Sequence, residues 1–181
     1  MTPSRAILLT GFMGAGKTSV GAALARLRGC AFHDLDALIA EQAGMPVAKI
    51  FATAGEPEFR RMESAALHDV LARVGDSGGV VALGGGTLAD TQNLRAVRKA
   101  GALLVALDAP VEVLFERTQR ARGTRPLAMD EAGFRRLYET RKPLYQAADL
   151  VVDSGSGGVE SVAAQVEHSI AALIGEWREK R

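Results

Sequence analysis

Residues 11–18, Gly11-Phe12-Met13-Gly14-Ala15-Gly16-Lys17-Thr18, fit the pattern G-x-x-x-x-G-K-[ST]. In a chain of this composition about 0.006 chance matches are expected, so the match carries information. Glycines let the backbone wrap closely around phosphate oxygens with its N–H groups turned inward, and a helix starting at the loop's end adds positive potential. Gly14, Ala15, Gly16 and Ser19 would contribute backbone to such a cradle. Lys17 would reach the β- and γ-phosphates, and the Thr18 hydroxyl would serve Mg2+. The chemistry predicted is binding of a nucleoside triphosphate. The loop says nothing of what is then done with it.

A second group could act on an acceptor. Phe32-His33-Asp34-Leu35-Asp36 reads as the end of a short strand. In an extended segment residues two apart share a face, which would project Asp34 and Asp36 together. One carboxylate could assist a metal while the other orients or deprotonates a hydroxyl. Either could instead cap a helix beginning near Ala37. Gly84-Gly85-Gly86 ends an apolar run, implying backbone close to a ligand or a tight bend. The same stretch fits a weak dinucleotide fingerprint with Asp108 downstream, discounted because the first strand–helix junction already carries a phosphate loop. Gly75-Asp76-Ser77-Gly78-Gly79 matches a nucleophile-elbow pattern but precedes a strand instead of joining strand to helix.

The chain has 17 Arg against 5 Lys. Arginine's planar fork suits carboxylate and phosphate, although a GC-rich genome would give the same bias. Arg60 and Arg61 lie ~100° apart on a helix, so both cannot face one site, and periodicity does not choose between them. Arg117, Arg120, Arg122 and Arg125 bracket a loop containing Gly123 and Pro126. They could close over a transferring phosphate, or simply be solvated. Arg141 near a helix end reads equally as dipole compensation.

Short apolar runs at Ala6–Leu9, Ala31–Leu35, Gly79–Leu83, Ala102–Leu107 and Leu150–Val152 alternate with helical patterns. The helical patterns cover about 18–27, 37–74, 93–99, 110–117, 131–145 and 159–177, with Pro110 in a first helical turn. This predicts an α/β fold, a five-stranded parallel sheet covered by helices on both faces. Ligands in such folds bind beyond the carboxyl ends of the strands, where Gly11, Asp34, Gly84 and Asp108 all fall.

A length of 181 residues points to one domain. Apolar residues at 48% and charged residues at 24% are globular values, and a net charge of +1 excludes a strongly basic nucleic-acid binder. No run approaches the ~18 apolar residues of a membrane span, and no signal-peptide pattern is expected. Cys30 is the only cysteine, which suits a reducing compartment, and His33, His68 and His168 lack zinc-ligand spacing.

Taken together these residues resemble the shikimate kinases, small P-loop kinases of the nucleoside-monophosphate-kinase type. The resemblance runs from Ile7 to Val152. It rests on Gly11–Thr18, Asp34-Leu35-Asp36, Ile50-Phe51, Gly55-Glu56 to Phe59-Arg60-Arg61 and Glu63, Leu83-Gly84-Gly85-Gly86, Thr124-Arg125-Pro126-Leu127 and Arg141-Lys142-Pro143-Leu144-Tyr145.

It implies a three-layer P-loop domain over 1–181, with an acceptor-binding segment at about 34–62 and a lid at about 118–130. It implies transfer of the γ-phosphoryl of ATP, with Mg2+, to the 3-hydroxyl of shikimate. By the same resemblance Thr18 and Asp34 hold the metal, Asp36 binds the acceptor hydroxyls and acts as base, and Arg60, not Arg61, joins Arg141 on the acceptor carboxylate. Phe51 and Phe59 line the acceptor pocket beside Gly84, Gly85 and Gly86. Arg125 clamps the ATP phosphates, Arg117 lies along the adenine, and Leu35 points away from the site. The loop Asp153-Ser154-Gly155-Ser156-Gly157-Gly158 lacks the proline often found against the adenine. A cytoplasmic monomer without nucleic-acid or membrane partners is expected. The alternatives are a P-loop kinase for gluconate or a nucleotide, and a non-catalytic ATP-binding module.

Overall fold

The computed structural model describes residues 6–121 and 130–179. Its strands are β1 (Ile7–Thr10), β2 (Phe32–Asp34), β3 (Val80–Ala82), β4 (Leu103–Asp108) and β5 (Leu150–Asp153). They form one sheet of order β2-β3-β1-β4-β5 with every pairing parallel. Among the described residues the helices are α1 (Lys17–Arg28), α2 (Leu35–Ala43), α3 (Val47–Ser77), α4 (Thr91–Lys99), α5 (Val111–Arg120), α6 (Glu131–Gln146) and α7 (Val159–Glu179). A 3-10 turn spans Thr87–Ala89.

Strand β1 is central, with Ile7 opposite Val80 on one side and Leu103 on the other. Alternate side chains point to opposite faces. Ile7 and Leu9 therefore pack towards α1, α5, α6 and α7, while Leu8 packs towards α2, α3 and α4. Both faces are apolar because both are covered, as the continuous hydrophobic runs predicted. The chain leaves β1 towards β2 and β3 and then crosses to β4 on β1's other side, so the crevice opens at the carboxyl end of β1.

Several boundaries differ from the sequence reading, each for a local reason. Helix α2 begins at Leu35, not near Ala37, because Asp34 is its N-cap, its Oδ1 accepting from the Ala37 N–H at 3.2 Å. Asp36 thus lies in a first helical turn, and the extended-strand argument for pairing it with Asp34 does not hold. The helical segments expected over 37–74 are α2 and α3, divided where left-handed Gly44 ends α2 and Pro46 caps α3. Within α3, Gly55 (φ 82°, ψ 172°) breaks the helix just before Pro57. That φ favours glycine, and Pro57 cannot donate to the preceding turn. The break folds Phe51 back against Phe59, ring centroids 4.4 Å apart. Pro110 caps α5 and does not enter its first turn. The Gly84 triplet follows β3 after a gap of one residue, since that strand ends at Ala82. None of the described helices is long and apolar enough to cross a membrane.

Candidate active site

A cavity of about 490 Å3 opens at the carboxyl ends of β1, β2 and β3. The phosphate loop forms one wall, with Gly14, Gly16, Lys17, Thr18 and Ser19 on the surface. Gly16 caps α1 with φ 88°, and Gly14 has φ 83°, left-handed values that favour glycine. A Cβ on Gly14 would strike the Leu114 carbonyl, so the loop's glycine here is also a packing requirement. Lys17 Nζ donates to the carbonyls of Gly11 (2.8 Å) and Phe12 (3.0 Å), which centres its charge over the loop. Phe12 is fully buried and pins the loop from beneath, edge-on to Phe134 (4.9 Å) and Tyr138 (5.5 Å). Ala15 is buried and its side chain does not reach the cavity.

Asp34 and Asp36 both line the cavity. Asp34 takes the capping role that the sequence left open. Its Oδ1 caps α2, while its Oδ2 accepts from the Thr18 hydroxyl at 2.6 Å. Asp36 faces the glycine triplet: a Cβ built on Gly84 would lie 3.2 Å from its Oδ1. Leu35, between them, is fully buried in the core.

The far wall is cationic. Arg60 and Arg141 come from α3 and α6, far apart in sequence, and converge on Gly86. A Cβ there would lie 3.0 and 3.1 Å from Arg60 Nη2 and Nη1, and 3.3 Å from Arg141 Nη2. Arg61 is excluded from this wall and pairs with Glu58 on the exposed face of α3. Arg60 Nη1 donates to Glu63 at 2.7 Å, and its Nη2 to Glu56 at 3.0 Å. Burial alone would lower the Arg60 pKa, but Glu63 and then Glu56 outweigh it and raise the pKa above its ordinary value. Phe51 and Phe59 line the same end of the cavity, giving two ionised walls an apolar floor.

Two residues of the quoted motifs were given no role in the sequence reading. Glu63 is 1% exposed, and its second oxygen accepts from the Thr87 hydroxyl at 2.6 Å. Its position three residues after Arg60 was a usable signal, because residues at that spacing share a helix face. Tyr145 donates to the Gly85 carbonyl at 2.8 Å. No spacing rule links positions so distant in the chain. Arg117 does not line the cavity. It donates from Nη1 to the Ser154 carbonyl (2.8 Å) and from Nη2 to that of Gly155 (3.3 Å), tying α5 to the loop after β5. Arg125, Arg122 and most of the expected lid lie outside the described residues. Asp108 accepts from the Tyr138 hydroxyl at 3.0 Å. Burial first, and then the Asp108 charge, push Tyr138 up to about 12.

The family model for shikimate kinase matches residues 13–171. The chain belongs to the shikimate kinase family. The shikimate kinase of Cereibacter sphaeroides is 41% identical over 170 residues, covering 92% of this chain and 83% of that one. That of Geobacter sulfurreducens is 41% identical over 165 residues, covering 90% and 88%. Among solved structures, a shikimate kinase from Acinetobacter baumannii in complex with shikimate superposes with a TM-score of 0.86 at 33% identity, covering 93% of this chain and 94% of that one. A gluconokinase from Sinorhizobium meliloti shares the fold, with a TM-score of 0.67 at 20% identity. As a member of the shikimate kinase family the chain is an ATP-dependent phosphotransferase with an alcohol acceptor.

Proposed function

We propose that this chain transfers the γ-phosphoryl group of ATP to the 3-hydroxyl of shikimate, releasing 3-phosphoshikimate and ADP. One observation carries the reading. A phosphate loop, a carboxylate and a converging pair of guanidinium groups share one cavity. An acceptor that bears a carboxylate at one end and a hydroxyl at the other matches that layout.

The mechanism follows from what phosphoryl transfer demands, positioning and charge neutralisation more than covalent chemistry. Loop N–H groups and Lys17 hold the triphosphate. Arg60 and Arg141 take the acceptor carboxylate as paired forks, a geometry suited to bidentate contact. Asp36 then holds the hydroxyl and accepts its proton as the bond to phosphorus forms. Arg125, assigned by resemblance, clamps the phosphates from the lid, and Arg117 borders the adenine.

The side-by-side hydroxyl and carboxylate of Thr18 and Asp34 are hard oxygen donors that fit Mg2+ and would hold it. Bound there, the ion supplies positive charge to the β- and γ-phosphates. Residues 1–181 are read as one kinase domain, with 34–62 binding the acceptor and 118–130 forming the lid. The enzyme is read as a cytoplasmic monomer with no nucleic-acid or membrane partner.

The test is a coupled ADP-release assay with shikimate, gluconate and AMP offered separately, with and without Mg2+. Release that depends on shikimate and on Mg2+ supports the reading. Equal or better release with gluconate or AMP replaces it, and ATP binding without turnover of any acceptor would leave only a binding module.

A further inference from the structure

Tyr145 is 2% exposed, and no step above uses it. Its hydroxyl donates to the carbonyl of Gly85, the middle residue of the triplet on the acceptor wall, at 2.8 Å. Its ring packs on Phe12 of the phosphate loop, centroids 6.4 Å apart. The Arg141 guanidinium stands beside the same hydroxyl. Arg141 precedes Tyr145 by four residues in α6, so the two share a helix face. Gly85 also abuts the donor side, since a Cβ there would lie 3.5 Å from the Gly11 carbonyl. One side chain thus touches the donor loop, the acceptor loop and an acceptor arginine.

Geometry fixes what the hydroxyl does. The Gly85 carbonyl and the Gly86 N–H belong to one planar peptide unit, so holding the first aims the second. A run of three glycines has wide backbone freedom, and a loop free to rotate would spend little time presenting that N–H to a ligand. Burial pushes the Tyr145 pKa far above its ordinary value, with only partial offset from Arg141, so the hydroxyl remains a donor across any assay pH.

We infer that Tyr145 is a positioning residue for the acceptor: its hydroxyl locks the Gly85–Gly86 peptide, and its contact with Phe12 sets that peptide against the phosphate loop. The inference rests on the function proposed above. It is a claim about alignment, not about contact with substrate.

The test is Tyr145→Phe, which keeps the ring and its packing and removes only the hydroxyl. Two readouts are taken on the full chain. The first is KM for shikimate and for ATP separately. The expected result is a shikimate KM raised about two- to twelve-fold, the range for one lost neutral hydrogen bond, with the ATP KM unchanged. The second is amide hydrogen exchange at residues 84–86 without substrates, expected to be several-fold faster in the variant. A purely structural role would lower the melting temperature and leave the ratio of the two KM values alone. An unchanged shikimate KM, an equal rise for ATP, or unchanged exchange overturns the inference. If the wild-type protein does not turn over shikimate, the functional reading fails by itself, and the exchange comparison alone then decides the claim about Tyr145.

Discussion

Gly86→Ala separates the acceptor site from the fold. Gly86 has φ −117° and ψ −1°, values that alanine adopts without strain. Removing a glycine from a compatible position stabilises the native state by about 0.4–1 kcal/mol through the unfolded chain. The three atoms nearest the new Cβ are tips of Arg60 and Arg141, at 3.0 to 3.3 Å. Both are long side chains that shift by a few tenths of an ångström at little cost. Folding stability should therefore be unchanged or slightly higher. The methyl nevertheless enters the space between the two guanidinium groups, where the proposed function puts the acceptor carboxylate. Overpacking a fitted site costs about 1–3 kcal/mol. That is about a five- to 140-fold loss of acceptor affinity. The ATP KM should not move, because the phosphate loop is on the opposite wall. Thermal melting and steady-state kinetics with each substrate varied provide the comparison. A normal acceptor KM would refute the placement of the carboxylate between the two guanidinium groups. A clear fall in melting temperature would show that the arginines cannot yield, and that the argument about their tips is wrong.

The neighbouring Gly84→Ala should behave oppositely. Its Cβ would lie 2.7 Å from Glu63 Oε1, which Thr87 clamps in the core, so a loss of about 1–3 kcal/mol and a drop of roughly 2–12 °C in Tm are expected by calorimetry. Asp36→Asn should keep ATP binding by titration calorimetry yet lose roughly 10²–10⁴ in turnover, as a general base would. Wild-type turnover would remove Asp36 from the chemistry. Glu63→Gln should lower Tm by roughly 3–6 °C, corresponding to about 1.5 kcal/mol for a charge-assisted hydrogen bond. The low end applies because Arg60 stays a third exposed and keeps Glu56. The same variant should raise the acceptor KM, and an unchanged value would show that Glu56 suffices to orient Arg60.

The features legible in the sequence were those set by local rules. The phosphate loop is contiguous, and its glycines, lysine and threonine work through adjacent backbone. The five strands showed because a parallel sheet covered on both faces needs unbroken apolar runs. The Asp34–Asp36 pair was found for a partly mistaken reason. A strand was expected to carry both, but capping by Asp34 starts the helix early and puts Asp36 on its first turn. Periodicity could not choose between Arg60 and Arg61, since adjacent helical positions differ only in direction, and the direction of the core is a tertiary fact. Glu63 looked like one more charge on a solvated face. It is buried because Thr87, on the turn after β3, reaches it. Tyr145 stayed silent for the same reason, its partner being a backbone carbonyl far away in the chain.

The central claim is that the acceptor's carboxylate, gripped by Arg60 and Arg141, sets its hydroxyl against the triphosphate. Comparing shikimate with its methyl ester in the ADP-release assay tests this most directly, because esterification removes the negative charge and leaves the ring hydroxyls intact. Removing one partner of a buried charge pair costs about 2–5 kcal/mol, so kcat/KM should fall about thirty-fold or more. An ester turned over as well as the free acid would contradict the account.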